Sequence, residues 1–317
     1  MAGSEAIGPC ALYYEQFEIG AHWRSPSRTL TETDALMFAA LSGDLESLCF
    51  DATAPANSGG RRISGPCALA LATGLEQRLG LKEGTGIAFL GATWVCHRPL
   101  YAADTVRVEQ RVRSMRVTRN AERGIVAFDV RLVSHRDDTL YSGVWTLLMR
   151  RNSALSSRAG GNQGRVEAAA DISAAAAAGS TGAMPEFRIG ESWTTPRRTV
   201  TETDIAQFCA LTGDYNPAHS DAEFARTSPF GERILQGPAG LAVAHGLYSR
   251  LDAGRSVGPQ MGAVNWVFKE PILMRDTLRA VLTVKAMPSP HSVLLDAVVL
   301  NQHDKIVHQG EWTMVAR

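Results

Sequence analysis

The sequence predicts an α+β protein made of two similar domains, each with a buried helix wrapped by an antiparallel sheet. Three observations support this prediction. The chain repeats itself over most of its length, and each repeat has a helix of small apolar residues after a Gly-Pro pair. In the second repeat, alternating apolar segments typical of strands follow that helix. A repeat this long is a whole domain copied, because solenoid repeats span only a few dozen residues.

The duplication is visible in short matching segments. Their offset is 170 residues up to a shared Gly-Asp pair and 172 residues beyond it. The matching segments are 17–20 with 187–190, 28–34 with 198–204, 65–66 with 237–238, 94–95 with 266–267, and 104–105 with 276–277. Only a short insertion or deletion therefore separates the two halves.

The length of 317 residues suits two domains that each bury a core. We assign residues 1–151 to an N-terminal domain and residues 185–317 to a C-terminal domain. Between them, residues 152–184 are rich in Ala, Gly and Ser, with five successive alanines at 174–178. This segment buries too little apolar surface to offset its ordering entropy, so we interpret it as a flexible linker.

The charge balance excludes several classes of partner. Thirty-two basic residues match thirty-two acidic ones, so no net field attracts nucleic acid or an anionic membrane. No apolar run is long enough to span a bilayer, and the N-terminus lacks a signal-peptide pattern. The five cysteines are odd in number and form no Cys-x-x-Cys pair, which favours reduced thiols. We expect a cytoplasmic protein with no nucleic-acid or membrane partner.

The elements of the C-terminal half follow in order. Thr201 and Asp204 resemble a capping box that opens a helix over 205–211, and Gly213 is placed as its C-terminal glycine. A second short helix is predicted over 221–226. Gly237-Pro238 should begin a third helix, because proline is favoured at the first helical position. Strands are predicted over 278–284, 293–300 and 310–315.

Candidate catalytic residues lie between the first two helices. Residues 211–219 read Leu-Thr-Gly-Asp-Tyr-Asn-Pro-Ala-His. Asp214 and His219 can share one water molecule and exchange its protons, which is general acid–base chemistry. Asn216 is expected to shape the loop by bonding to backbone, and Pro217 to stiffen the same turn.

The first half lacks this set. At the places of Asn216, Pro217 and His219 it carries Glu46, Ser47 and Cys49. No neighbouring base or cation is evident that would activate Cys49 as a nucleophile, so we interpret it as a buried thiol. Residues 51–60 are predicted to form a loop. We therefore expect a first domain that has lost catalysis and instead widens the binding tunnel for a bulky or branched substrate.

The run Thr-Gly-Asp-Tyr-Asn-Pro-Ala-His, followed by Asp221, residues 224–225 and residues 234–237, resembles the MaoC-like (R)-specific enoyl-CoA hydratases and dehydratases of the hot-dog fold. The resemblance covers residues 13–150 and 185–317 and implies the tandem double hot-dog form, a pseudo-dimer. It implies a hydro-lyase that interconverts a trans-2-enoyl-CoA and an (R)-3-hydroxyacyl-CoA. Asp214 and His219 would be the catalytic pair, and Gly237 would donate its backbone N–H to the thioester oxygen.

The sequence has no dinucleotide-binding glycine fingerprint, no phosphate loop and no His-x-x-x-His or cysteine metal spacing, so we expect no metal and no cofactor beyond coenzyme A in the substrate. The partner would be an acyl-CoA thioester, with an acyl-carrier protein as an alternative carrier. Whether two chains form a homodimer is left open.

Several residues near this set depart from the family pattern or supplement it. Gln236-Gly237-Pro238 stands where the family usually has His-Gly-Met, and the proline removes one backbone N–H. Gln236 and Lys269 are candidate substrate-binding residues, with Lys269 expected on a strand and Arg98 as a second candidate for the phosphates of coenzyme A. His245, two turns along the third helix, is expected to hold the carboxylate of Asp214.

Other functions remain open at this point. One is hydration of a branched or dicarboxylic acyl-CoA of the methylmalyl- or mesaconyl-CoA type, which an arginine in the acyl pocket would favour. A second is a hot-dog thioesterase, and a third is a non-catalytic module that binds acyl-CoA. The Asp-x-Asn-Pro-x-His set in one half argues against the second and third functions.

Overall fold

The computed structural model describes residues 10–44, 46–51, 60–152, 154–155, 184–251 and 260–316. The linker predicted over 152–184 lies outside these ranges except at its ends, as does most of the loop predicted over 51–60. The domain boundaries at 151 and 185 therefore stay a prediction.

Each of the three described α-helices of the first half has a counterpart at the corresponding place in the second half, which carries a fourth. The helices are α1 (Glu32–Ser42), α2 (Ser47–Phe50), α3 (Gly65–Gln77), α4 (Glu202–Thr212), α5 (Pro217–Ser220), α6 (Ala222–Thr227) and α7 (Gly237–Tyr248), with one 3-10 turn at Tyr14–Gln16. The capping box of α4 is confirmed, since Thr201 Oγ1 accepts a hydrogen bond from the Asp204 N–H and the Thr201 N–H donates to Asp204. Gly213 ends α4 in the left-handed conformation, as predicted.

The strands of the first half are β1 (His22–Arg24), β2 (Arg28–Thr29), β3 (Arg62–Ile63), β4 (Gly86–Cys96), β5 (Leu100–Tyr101), β6 (Thr105–Val117), β7 (Arg123–Ser134) and β8 (Thr139–Arg150). Those of the second half are β9 (Ser192–Thr194), β10 (Arg198–Thr199), β11 (Gln260–Phe268), β12 (Thr277–Ser289), β13 (Ser292–Leu300) and β14 (Ile306–Val315). The alternation predicted for β12 is confirmed, because Leu278, Ala280, Leu282 and Val284 are all buried on one face.

One antiparallel sheet runs through both halves. In the described chain twelve strands belong to it, with the main order β1-β6-β7-β8-β4-β11-β14-β13-β12-β10, while β3 and β5 form a separate pair. The halves meet where β4 pairs with β11. Trp94 lies opposite Val264 and Trp266 lies opposite Ala92, which is the reciprocal pairing of a two-fold axis between duplicated units. The α+β class and the merged pseudo-dimer are therefore confirmed.

The two central helices α3 and α7 pack against each other across this axis. Ten of the thirteen residues of α3 and all of α7 except Gly237 are buried, as the small and apolar composition predicted. Each helix also presses against the other half. A Cβ added to Gly74 would lie 1.9 Å from the Thr212 carbonyl oxygen, and one added to Gly246 would lie 2.1 Å from that of Ser42. Only glycine permits this close approach.

A matched pair of arginines joins the halves a second time. Arg28 donates to the Leu211 carbonyl at the end of α4 (2.6 Å), and Arg198 donates to the Leu41 carbonyl at the end of α1 (2.6 Å). Each guanidinium also contacts the aspartate of its own capping box, Asp34 or Asp204, at 2.5 Å. The repeated segments 28–34 and 198–204 thus link each half to the helix end that precedes the Gly-Asp of the other half.

Candidate active site

A cavity of about 290 Å³ lies between the halves and contains the predicted catalytic residues. Asp214, His219 and Gly237 all line it, together with the candidate binding residues Gln236 and Lys269. The opposite wall is supplied by the first half, through α3, β4 and β8. The cavity therefore belongs to the pseudo-dimer and not to the C-terminal half alone.

Asp214 is positioned by the end of α4. The left-handed turn at Gly213 redirects the chain, and the Asp214 N–H donates to Thr212 Oγ1 at 3.1 Å. The Asn216 N–H approaches Asp214 Oδ1 at 3.3 Å. The residue is only 8% exposed, so its carboxylate faces the cavity from an enclosed position.

His219 is carried by the four-residue helix α5, which the sequence analysis did not predict. Asn216 is the N-cap of this helix, with its Oδ1 accepting a hydrogen bond from the Ala218 N–H at 3.0 Å, and Pro217 is the first helical residue. The loop-shaping roles expected for Asn216 and Pro217 agree with this geometry. Together they form one tight turn between Asp214 and His219.

The tautomer of His219 follows from its partner. Its Nδ1 lies 2.9 Å from the Ile234 carbonyl oxygen, which can only accept a hydrogen bond. Nδ1 therefore carries the proton, and Nε2 of the neutral ring has a free lone pair. A histidine held in this way can take a proton from a water molecule in the cavity.

Gly237 is the first residue of α7, a helix whose N-terminus lines the cavity. A Cβ at this position would lie 2.9 Å from the ring of Phe268, so any larger residue would disturb the contact. Pro238 follows within the first helical turn and has no N–H to offer. The positive end of the helix dipole and the Gly237 N–H can stabilise negative charge that develops on an oxygen.

The side-chain amide of Gln236 is already partly engaged by a hydrogen bond inside the protein. Its Nε2 donates to the Cys209 sulfur at 3.1 Å, and the residue is only 3% exposed. Burial raises the pKa of the Cys209 thiol to about 11, so this thiol is neutral. The Gln236 Oε1 has no hydrogen-bond partner within the described chain. It is therefore still able to accept a hydrogen bond.

The prediction for His245 is wrong. Its Nδ1 lies 3.2 Å from Asp44 Oδ2 of the first half and not beside Asp214. The reason is the crossing of the central helices, because α7 packs on the end of α1 while α3 packs on the end of α4. Thr73, which corresponds to His245 in the repeat, is the residue that lines the candidate active site.

Two further placements differ from or refine the sequence analysis. Lys269 follows the last residue of β11 instead of lying in the strand, and it is an exposed residue that lines the cavity. Arg98 lies 3.3 Å from Asp104 and does not line the cavity. Lys269 thus stays a candidate for the phosphates of a ligand, whereas this geometry offers no support for Arg98.

The corresponding place in the first half is nearly filled. A cavity of about 20 Å³ there is lined by Glu46, Cys49 and His245 among others, which is room for about one water molecule. Burial raises the pKa of Cys49 well above its usual value, with the carboxyls of Asp44 and Glu46 adding to the shift. Cys49 is therefore a neutral buried thiol, as expected.

Several cavity residues were missed by the sequence analysis. Thr73, Glu76 and Lys82 come from the first half, and His308 comes from β14. Burial lowers the pKa of His308 to about 3, so its ring is neutral where it packs against Phe268. A signal did exist for Glu76, since it is the one acidic residue in the mostly apolar helix α3.

The described residues contain no group of three or more His, Cys, Asp or Glu side chains that could hold a metal ion. Nor does any helix in the described part of the chain have the length and apolarity needed to cross a membrane.

Comparison with known structures identifies the fold. The chain superposes on a putative MaoC domain protein dehydratase from Chloroflexus aurantiacus with a TM-score of 0.81 and 18% identity, covering 100% of this chain and 99% of the other. A Mycobacterium tuberculosis protein with a double hotdog fold gives a TM-score of 0.72 at 16% identity, covering 97% and 99%. The molecule therefore has a double hot-dog fold, with an acid and an imidazole lining one cavity that both halves share.

Sequence comparison agrees. Residues 186–294 match the family described as MaoC like domain. The (R)-specific enoyl-CoA hydratase of Rhodospirillum rubrum is 31% identical over 120 residues, which are 37% of this chain and 81% of that protein. Protein MaoC of Klebsiella aerogenes is 42% identical over 107 residues, 33% of this chain, and the match spans 31% of that longer protein. The chain belongs to the MaoC-like dehydratase family.

Proposed function

We propose that the protein is a hydro-lyase that adds water reversibly to a trans-2-enoyl-CoA and forms an (R)-3-hydroxyacyl-CoA. The observation that carries this proposal is the shared cavity, where Asp214 and His219 converge beside the N-terminus of α7. The relative named (R)-specific enoyl-CoA hydratase supports the same chemistry and its stereochemistry.

The proposed reaction passes one proton through the catalytic pair. A water molecule would bind between Asp214 and His219 Nε2, which has its lone pair available because Nδ1 donates to the Ile234 carbonyl. The water oxygen forms a bond to C3 as the pair takes its proton, and electron density moves onto the thioester oxygen. The Gly237 N–H and the helix dipole would stabilise that oxygen, and the pair then returns a proton to C2.

The substrate would enter from the side where Lys269 is exposed. Its ammonium group is suited to the phosphates of coenzyme A, and an acyl-carrier protein would present the same pantetheine arm. We further propose that water and the thioester suffice, without a metal or another cofactor.

The test is loss of the enoyl-thioester absorbance with crotonyl-CoA and longer 2-enoyl-CoAs, followed by chiral analysis of the product. Asp214→Asn and His219→Gln should each lower kcat by about 10²–10⁴-fold, because each removes one partner of the acid–base pair. Asp44→Asn is the matched control, since Asp44 follows the Gly of the degenerate half.

The control should keep kcat within about threefold, because Asp44 does not line the large cavity and pairs instead with His245, which lines the small one. An (S)-product, or equal losses in all three folded variants, would contradict the proposed assignment. Release of free thiol from a saturated acyl-CoA would indicate a thioesterase instead.

A further inference from the structure

The inner wall of the active-site cavity holds a buried ion pair that the proposed chemistry does not use. Lys82 Nζ lies 2.9 Å from Glu76 Oε1, and the two residues are only 4% and 5% exposed. Both line the cavity that contains Asp214 and His219. Lys269, which also lines the cavity, is exposed, whereas this pair is buried, so we assign the far end of an acyl chain to the pair.

The location of the pair follows from the crossing of the helices. Gly74 contacts the end of α4 next to Asp214, and Glu76 lies on the same helix within one turn of Thr73, which also lines the cavity. The residue that corresponds to Glu76 in the second repeat is Tyr248. A carboxylate at this position thus occurs only in the half whose central helix faces the candidate active site.

A purely structural role explains this pair poorly. Removing two charges from water costs several kcal/mol for each ion, and well-packed apolar residues would be as stable or more stable in their place. Apart from the polar Thr73 and Gln77, the remaining wall that the first half supplies is mostly apolar and includes Ile87, Phe89, Leu90, Trp145 and Leu147. A chain selected only to hold an alkyl group would have continued this surface.

The pair is only partly satisfied by the protein. Glu76 Oε1 accepts a hydrogen bond from Gln110 Nε2 at 3.1 Å and also faces Lys82, so both contacts of this carboxylate within the described chain use one oxygen. Lys82 Nζ lies 4.4 Å from the centre of the Phe128 ring and has no second oxygen partner in the described residues. One acceptor and at least one N–H donor therefore stay available.

We propose that the acyl group of the substrate ends in a hydroxyl, which donates a hydrogen bond to Glu76 and accepts one from Lys82. A hydroxyl does both at once and carries no charge, which suits an ion pair that is neutral overall. A carboxylate would meet Glu76 with a like charge, and a methyl group would leave the pair unsatisfied. This inference rests on the proposed enoyl-CoA hydratase function and names its substrate class.

The test compares CoA thioesters matched in chain length. At five and at seven carbons, the trans-2-enoyl chain would end in a methyl, a hydroxyl or a carboxylate group. The wild type should show a kcat/KM for the hydroxyl substrate at least about tenfold above that for the methyl substrate at one of the two lengths, because unpaired polar groups penalise the apolar analogue. The carboxylate substrate should be the poorest.

The double variant Glu76→Gln/Lys82→Met removes both charges together, so that neither is left buried alone. It should reduce the ratio of kcat/KM for the hydroxyl substrate over the methyl substrate to less than about threefold, because Met replaces the polar partner with apolar surface. The matched control is Asp296→Asn/Lys285→Met, which removes an exposed ion pair of 3.4 Å away from the cavity. The control should keep the wild-type preference.

A binding measurement separates this inference from the function on which it rests. The saturated thioesters with the same three end groups would be titrated calorimetrically, where hydration plays no part. If no enoyl-CoA is hydrated, the proposed function fails, and preferential binding of the hydroxyl thioester still supports the inference. Equal or better binding and turnover of the methyl thioesters at both lengths would overturn it, as would a preference for the carboxylate.

Discussion

At the scale of single residues, the degenerate half holds a cluster of buried acids and a base in place of a catalytic pair. Asp44 lies beside His245, and Glu46 lies close enough to both for their charges to act on it. Glu46 is partly exposed as a residue, but its Oε1 is fully enclosed. Burial, with help from Asp44, raises the pKa of Glu46 to about 8, so its carboxyl is neutral in the fold at neutral pH.

This cluster makes stability depend on pH. The pKa of Glu46 is raised from 4.5 to about 8 in the folded protein, so the unfolded chain releases this proton at a lower pH than the folded chain does. The neutral carboxyl therefore contributes stability that is lost as the pH rises from about 4.5 to about 8. His245 acts in the same direction. Despite its burial, the neighbouring Asp44 raises its pKa above 6.5, so its contribution is full below pH 6.5 and falls above it.

We therefore expect the melting temperature of the wild type to fall between pH 5 and pH 8, and Glu46→Gln to flatten that fall. Gln keeps the shape of the neutral carboxyl but has no proton to lose. Thermal unfolding at half-unit pH steps measures the slope. Glu223→Gln, at an exposed helical position, should leave the slope unchanged. A Glu46→Gln slope equal to that of the wild type would contradict the account.

At the scale of elements, the arginines of the repeated segments connect each half to the other. Arg28 donates to the carbonyl of Leu211, one of the orphan carbonyls at the C-terminus of α4, where a cation is also favoured by the helix dipole. Asp214 lies two residues after Thr212, the last residue of this helix. We therefore propose that Arg28 is a positioning residue, which acts on Asp214 through the end of α4.

The duplication supplies a matched comparison for this role. Arg28→Met and Arg198→Met each remove the same contacts from opposite halves and should lower stability by a similar amount, about 1.5–3 kcal/mol. Only Arg28→Met should also lower kcat for hydration, by about three- to tenfold, because only α4 precedes the catalytic aspartate. Denaturant unfolding and steady-state kinetics on both variants measure this.

An Arg28→Lys variant distinguishes a positioning role from a simple loss of stability, which would not by itself change kcat in this way. It restores a cation at the helix end and should recover part of kcat. Equal kinetic losses in Arg28→Met and Arg198→Met would show that the arginines act only on the stability of the whole molecule.

The elements themselves were largely predictable from the sequence, because their signals are local. Each of these signals depends on residues within a few positions of each other. They are the capping box at Thr201, the terminating Gly213 and the start of the third helix at Gly237. The helix α5 was missed because four residues are too short for a periodic pattern. The proximity of Asp214 and His219 was predictable for the same reason, because only one turn separates them.

What the sequence could not predict depends on contacts between distant segments. His245 was assigned to Asp214 because both belong to one half, whereas the crossing of α3 and α7 carries it to Asp44. Lys82 and Glu76 entered the site for the same reason, from the half predicted to have lost catalysis. No local sequence pattern shows that the central helix of one half lines the cavity beside the other half.

At the scale of the whole molecule, the two halves share one core. The main cluster of buried side chains includes Phe38 and Trp145 of the first half together with Phe208 and Trp312 of the second. The sheet is continuous through β4 and β11, and the active-site cavity is walled by both halves. The first half therefore forms part of the candidate site although it contributes neither Asp214 nor His219.

This sharing predicts that the chain unfolds as one cooperative unit. Gly246→Ala places a methyl group against the Ser42 carbonyl and Gly74→Ala places one against that of Thr212, so both must separate α3 or α7 from the opposite half. Each should lower the melting temperature by at least about 3 °C through overpacking at the interface. Because the interface belongs to the common core, the transition should shift as a whole in both variants, with equal calorimetric and van't Hoff enthalpies. Two separate transitions, in the wild type or in either variant, would mean that the halves are independent domains and that the cavity between them is held only by the sheet.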